Sequence, residues 1–399
     1  GVYSPYISKW NGTAWSALGS GTNQTPYALA VDSAGNLYVG GGFSQAGGVA
    51  ANNIARWDGT TWSAMGSGIN HYVTALALDG SGNLYIGGWF TTVGSVLANY
   101  VAKWDGTAWS ALGSGTNNIV RALAIDGTGH LYAGGQFSTV GGLTTSGIAR
   151  WDGTAWYALG SGMGGGNVYA LAIDGSGNVY AGGDFSTAGG VTVNYIARWN
   201  GSSWSALGSG MSLFVNALAL DGAGNLYAGG YFTVAGGVTA NRIAKWNGSA
   251  WSALGTGMND VVNALVLDGA GNLYAGGSFV SAGGTTANRI AKWNGSAWSA
   301  LGSGMNGLLN ALAFDLSGNL YAGGGFSTAG GTAAQCIAQW NGTAWSAMGS
   351  GTSSAVMALA VDVSGRNLFV GGGFSLAGAK ASPFLAKVIL PGPAPVEFT

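Results

Sequence analysis

A tetrapeptide of the type Ile-Ala-Lys-Trp recurs along this chain of 399 residues. Its copies end at Trp10, Trp57, Trp104, Trp151, Trp199, Trp246, Trp293 and Trp340, spaced by 47 residues with a single step of 48. The extra residue falls in the glycine run 164–166. A second tryptophan follows each first by five positions, from Trp15 to Trp345, so the two columns hold 16 of the 17 tryptophans. Trp89 is the one outside them, which marks its position as unlike the others. A decayed ninth copy, Leu-Ala-Lys-Val, ends at Val388. A fixed period of this length means one supersecondary unit repeated, each copy completing its core against its neighbours.

Within a unit, four short apolar segments alternate with glycine-rich stretches. In the sixth they are VNALVLD (262–268), NLYAGGSF (272–279), RIAKW (289–293) and AWSALG (297–302). Such runs are too short for helices, and the glycine content opposes helix formation. Asn-Gly or Asp-Gly between the third and fourth segments (Asn294-Gly295, Asp58-Gly59) predicts a tight type I′ hairpin. Turns of the Asp-Gly-Ser-Gly-Asn type join the first and second. Each unit therefore reads as a four-stranded antiparallel meander with two apolar faces, and stacking such sheets around an axis buries both.

The expectation is an all-β chain folded as an eight-bladed β-propeller over residues 1–390. Its inner strands start near 27, 74, 121, 169, 216, 263, 310 and 357, and 391–399 form a tail. The last blade must share both chain ends. Residues 356–374 supply its first two strands and 14–19 its fourth. For the third, YISKW (6–10) is preferred over FLAKVIL (384–390), because it keeps the tryptophan and leads into the Asn11-Gly12 hairpin.

The paired glycines closing the second segment (Gly87-Gly88, Gly276-Gly277) and the aromatic columns resemble those of kelch-type propellers, the class that includes the galactose oxidase central domain. The resemblance covers nearly the whole chain and implies the same propeller fold. Tryptophan stands where kelch repeats use tyrosine, and the two aromatics are closer together. The copper-oxidase site does not carry over, because its Tyr, Cys and His set is missing.

Composition removes several function classes. The net charge is −1 with 7% charged residues and no basic block, which speaks against a nucleic-acid partner. No apolar run reaches the roughly 18–20 residues of a membrane helix, so no membrane insertion is expected. A single cysteine, Cys336, allows no intrachain disulfide; it sits where other repeats carry Arg242 or Arg289 and reads as incidental. With His71 and His130 as the only histidines, no Cys/His metal set and no cofactor is expected. The opening GVYSPY is not a signal peptide and fits a mature or trimmed form. The tail PGPAPVEFT is similar to stretches that precede sorting domains in Bacteroidetes-type surface proteins. The expectation is a secreted or surface-displayed monomer.

Comparing the repeats with one another separates constant from variable columns. The residue before the phenylalanine of the second segment is Gly42, Trp89, Gln136, Asp184, Tyr231, Ser278, Gly325 or Gly373. The residues entering the first segment vary as well: QTPY (24–27), HYVT (71–74), NIVR (118–121), GNVY (166–169) and LFVN (213–216). In propeller geometry both lie at the face called top, around the central channel. The candidate ligand-binding residues there are Trp89, Tyr231, Gln136, Asp184, Ser278, Tyr27, His71, Tyr72, Arg121, Tyr169, Phe214 and Asn216. Aromatic rings stack on sugar faces and dominate protein hot spots, while amides and carboxylates bond hydroxyls.

The constant polar columns map to the opposite face. An aspartate ends each first segment (Asp32, Asp79, Asp126, Asp174, Asp221, Asp268, Asp315, Asp362) and reads as a turn cap. A Lys or Arg precedes the first tryptophan in most repeats, as Arg56 and Lys245 do, and is a possible partner for those aspartates. Paired carboxylates for glycoside chemistry would have to come from Asp184, Asp260 or Glu397. The first two are on non-adjacent blades and the third is in the tail, so no catalytic residue is expected. The reading is a non-enzymatic binding module for a glycan or protein. A structural or adhesin segment is the alternative, and a glycoside-active enzyme the second.

Overall fold

The computed structural model describes residues 10–11, 16–362, 365, 367–378, 380–381 and 385–389. Among them, eight sheets stand around a common axis. In the first blade, Pro26–Val31, Leu37–Gly41, Ile54–Trp57 and Trp62–Ala64 follow one another across the sheet, all antiparallel. Each inner strand also lies beside the inner strands of both neighbours. Pro26–Val31 meets Val356–Val361 of the last blade, so the ring closes.

The core sits in the seams between sheets. Tyr38 of the first blade packs with Leu84, Ile86 and Phe90 of the second, and the pattern repeats around the ring. The constant glycines answer to this packing. A Cβ on Gly87 would lie 2.6 Å from Val120 of the next blade, and one on Gly88 only 2.1 Å from the carbonyl oxygen of Tyr72. From Trp62 to Trp345 the second tryptophan of each unit reaches across a seam. Trp62 Nε1 donates to Leu18 O (2.6 Å), Trp109 to Met65 O (2.8 Å) and Trp251 to Leu207 O (2.7 Å). The first tryptophan packs against the second in its own hairpin, with centroids 5.2 to 5.5 Å apart. Trp57 Nε1 is buried without a partner.

The eight aspartates cap their turns. Asp79 Oδ1 accepts from the N–H groups of Ser81 (2.9 Å) and Asn83 (2.9 Å), and Oδ2 accepts from Asn83 Nδ2 (2.7 Å). The basic column serves them only in part. Lys292 approaches Asp268 at 3.9 Å, but Lys103, Lys245 and Lys292 lie over the rings of Tyr85, Tyr227 and Tyr274.

Three features differ from the sequence reading. The hairpin between third and fourth strands is not a type I′ turn. Of residues 58–61 only Gly59 has positive φ (103°), and Asp58 acts through its side chain, accepting from the N–H groups of Thr60 (2.8 Å) and Thr61 (2.8 Å). That is side-chain capping beside a glycine-led turn. Second, each connection from second to third strand folds a small ladder of its own, such as Thr92–Val93 with Val96–Leu97. The linker from the preceding blade bridges to it through Ile69 and Val93.

Third, the closing blade takes its third strand from the C-terminal copy. Leu385–Ile389 pairs antiparallel with Asn367–Gly372, and Ser16–Ala17 follows as the fourth strand. Trp10–Asn11 pairs parallel with Val388–Ile389 instead of filling the slot; the rest of YISKW lies outside the described residues. In every other blade the third strand follows its second through the short ladder connection. The C-terminal copy preserves that local closure, which costs less chain entropy than bringing in the distant end.

Candidate functional site

The two variable columns meet at one mouth of the ring. Trp89 N–H donates to Tyr72 O (2.9 Å), and the same bond joins Gln136 to Ile119 (2.9 Å), Asp184 to Asn167 (3.1 Å), Tyr231 to Phe214 (2.9 Å) and Ser278 to Val261 (2.9 Å). The residue after each entry point is the extra residue of a β-bulge. Val120 pairs with Gly135 and Ala122 with Gly134, leaving Arg121 between them, and the register shifts at the corresponding place in the other blades. A bulge re-aims its side chain out of the ladder. Tyr27, Thr74, Arg121, Tyr169 and Asn216 therefore occupy one structural position at the head of the channel. The channel itself is a cavity of about 490 Å³ lined by alanine and leucine from all the blades, with Thr74, Arg121, Tyr169 and Asn263 among its polar groups.

The predicted residues fall into three groups rather than one ring. On blades 1 and 2, His71 stacks on Trp89 (centroids 6.1 Å, interplanar 19°), Tyr72 packs edge-on to His71 (4.4 Å), and Tyr27 edge-on to Tyr72 (5.8 Å). Tyr72 N–H donates to His71 Nδ1 (2.8 Å), which fixes the ring. Tyr27, Tyr72 and Trp89 remain 40%, 43% and 44% exposed although they touch, so their packing leaves faces open to a ligand. On blade 5, Phe214 packs against Tyr231 (6.2 Å) and against Tyr195 of blade 4 (5.8 Å). In a ring of eight, blade 5 stands across the channel from blade 1.

The third group is structural in its bonding. Asp184 accepts from the Tyr169 hydroxyl (2.6 Å), from Asn167 Nδ2 (3.0 Å) and from the Asn167 backbone N–H. A side chain on Gly166 would collide with this carboxylate, its Cβ 2.4 Å from Oδ1, so the inserted glycine is what lets the aspartate anchor the longer linker. Tyr169 is held above its ordinary pKa, first by burial and then by the Asp184 bond, while the Arg121 charge opposes the shift. Asp260, the other off-column acid, accepts from its neighbour Val261 N–H (2.7 Å). Gln136 and Asn216 make no side-chain hydrogen bond among the described residues.

A third variable column was missed in the sequence. It comprises Asn53, Tyr100, Gly147, Tyr195, Arg242, Arg289 and Cys336, just before the third strand, all with positive φ between 61° and 72°. Its backbone pairs with the second strand (Gly88 N–H to Tyr100 O, 3.1 Å; Gly230 N–H to Arg242 O, 3.0 Å), which sets it beside the mouth column. Arg242 Nη1 donates to Tyr231 O and Arg289 Nη1 to Ser278 O. The signal is present in the sequence, where Cys336 aligns with Arg242 and Arg289. Its conformation was hidden because bulky residues rarely adopt left-handed φ.

No protein-family profile matches the chain, and no curated protein matches it. Solved structures do. YCF48 bound to D1 peptide aligns over 96% of this chain and 99% of its own, at 13% identity and a TM-score of 0.50. The fold is a β-propeller. The WD40 β-propeller domain of Doa1 aligns over 96% of each chain at 11% identity and a TM-score of 0.49. The extracellular domain of a B. thetaiotaomicron protein described as a one-component system aligns at 14% identity and a TM-score of 0.43; this chain spans 51% of its length. At such identities the likeness is one of fold. No helix among the described residues is long and apolar enough to cross a membrane.

Proposed function

We propose that this propeller, kelch-like in its repeat, is an extracellular monomeric recognition module that binds a glycan or protein at its channel mouth without catalysing a reaction. The observation that carries the reading is the contrast between columns. Where a side chain faces a seam, the repeats agree; where two strands meet at the mouth, they diverge and expose Trp89, Tyr72, Tyr231 and Phe214. Half-exposed aromatics with fixed orientation are the groups that stack on sugars and anchor protein interfaces. The peptide bound to YCF48 adds a precedent for ligand binding on a similar fold.

The test is an array of glycans and peptides probed with the wild-type chain beside the double variant Trp89→Ala/Tyr231→Ala. A ligand held by the wild type and lost by the double variant, at unchanged melting temperature, supports the mouth as the site. Absence of any ligand on either array would overturn the reading and leave a structural or adhesin segment.

A further inference from the structure

The two aromatic walls of the mouth differ in charge. On blades 1 and 2 the left-handed column holds Asn53 and Tyr100, and the arginine at the channel head, Arg121, belongs to blade 3. On blades 5 and 6, Arg242 and Arg289 occupy the same column of successive repeats, each after an asparagine (Asn241, Asn288). Each guanidinium is tethered through Nη1 to the carbonyl of the variable mouth residue, Tyr231 or Ser278. Neither has a carboxylate within 4.0 Å, since the only ion pairs among the described residues are His130–Asp126 and Lys292–Asp268. The Nε of Arg289 is buried and unbonded. A cleft of about 380 Å³ opens beside Arg242, with Asn241, Thr256, Asn259 and Ser281 in its wall. The acid nearby in sequence, Asp260, bonds its own neighbour's N–H, Val261.

We infer that the blade 5–6 side of the mouth binds an acidic glycan through its uronate carboxylates, with Arg242 and Arg289 as the anion-recognising residues and Tyr231 and Phe214 as the stacking wall. The inference rests on the recognition reading above and names its ligand class. A guanidinium fixed by one nitrogen still presents N–H donors to a carboxylate in a planar fork. Tethering lowers the entropy lost on binding. A uronate carries its carboxylate and an apolar C–H face on one rigid ring. That pairing matches a guanidinium bonded to the carbonyl of the very tyrosine that offers the ring face. An acidic peptide holds its carboxylates on flexible stems away from any such face.

The experiment is affinity electrophoresis and calorimetry of the full chain with three probes: polygalacturonate, the same polymer fully methyl-esterified, and polyglutamate. Polygalacturonate should retard the wild type, and the retardation should weaken as salt screens the contact. Arg242→Gln/Arg289→Gln should weaken it at least about tenfold, as loss of paired charge contacts does. Arg242→Lys/Arg289→Lys, which keeps the charge and loses the fork, should fall between. Leu316→Ala, at an exposed turn residue outside the mouth, should bind as the wild type does, and melting temperatures guard against unfolding. Equal binding of the methyl ester, equal binding of polyglutamate, no binding of polygalacturonate, or an unaffected Gln variant would each overturn the inference. If the arrays yield a ligand that depends on Trp89 and Tyr231 while polygalacturonate fails, only this inference falls. If the arrays yield nothing, the recognition reading falls with it.

Discussion

The seams between blades and the mouth of the channel are built from the same repeat, yet they obey different rules. At a seam, Gly87, Phe90 and Trp109 meet fixed neighbours, as Gly88 does inside its own sheet, and the corresponding residues of other blades hardly change. At the mouth, one residue past the end of the same strand, Trp89 is replaced in turn by Gln, Asp, Tyr, Ser and Gly. The difference teaches that a repeat's tolerance is decided by what each side chain touches. Amplification copies both regions equally, but only the one facing solvent can drift or be recruited for binding.

The packed interior should break first under the smallest addition. A Cβ on Gly88 would sit 2.1 Å from the backbone oxygen of Tyr72, which cannot move without disturbing the bulge. Gly88→Ala is expected to cost about 3 kcal/mol or more, above the usual range for overpacking because the obstacle is backbone. Urea unfolding should show the lowered midpoint. An Ala variant with the wild-type midpoint would mean that this strand pair is looser than its geometry.

A finer comparison lies within one hairpin. Trp62 donates to Leu18 O across the seam, whereas Trp57 Nε1 is buried without a partner. Trp62→Phe strands a buried carbonyl and should cost about 1–3 kcal/mol; Trp57→Phe removes an unsatisfied donor and should cost less. Chemical denaturation of the two variants decides, and equal losses would show that ring area, not the hydrogen bond, carries the tryptophan column.

The hairpin caps separate blades 1–3, which use Asp58, Asp105 and Asp152, from later blades, which use Asn200, Asn247, Asn294 and Asn341. Backbone N–H groups hold all three carboxylates below their ordinary range, Asp105 to about 2, with the Thr60, Thr61, Thr107 and Thr154 hydroxyls adding to the effect. Their folded pKa lies below the unfolded one near 3.8, so the stabilisation is present above that value and fades as pH falls toward 2. The melting temperature should drop over that window. Asp58→Asn/Asp105→Asn/Asp152→Asn should blunt the drop, because an amide oxygen caps the same N–H groups without titrating. Turn aspartates such as Asp126, Asp221 and Asp268 are also lowered, with burial opposed by hydrogen bonds, so some acid sensitivity should remain.

Period and packing were legible in the sequence because they are collective. Sixteen tryptophans and eight Gly-Gly pairs leave few ways to stack four-stranded units. The departures arose where one local term outweighed the pattern. YISKW matches the third-strand consensus better than FLAKVIL does, yet the C-terminal copy fills the slot because its connection is the short one. Asp58-Gly59 reads as a turn centre, yet the aspartate flanks the turn and caps it. At the mouth, Trp89 and Tyr231 were found by their variability. Arg242 and Arg289 were not, because their place depends on left-handed φ that neither residue type announces. Asp184 was legible as an odd acid, but its engagement by Asn167 and Tyr169 depends on the single glycine inserted before it.

The mouth supplies the smallest effect and the sharpest contrast. Trp89 and Tyr231 are 44% and 42% exposed, and their contacts are with other exposed rings. Trp89→Ala and Tyr231→Ala, made singly, should each shift stability by no more than about 0.5 kcal/mol, the usual span for surface positions. Trp109→Ala, buried in a seam and bonded to Met65 O, should lose about 3–5 kcal/mol by comparison. One residue type is thus being asked two questions in one protein, and differential scanning calorimetry of Trp89→Ala and Trp109→Ala answers both. Similar losses would mean that Trp89 plugs the channel and supports the fold. A silent Trp89 variant removes stability as the reason for the ring's exposure and leaves the proposed binding role to be read on the arrays.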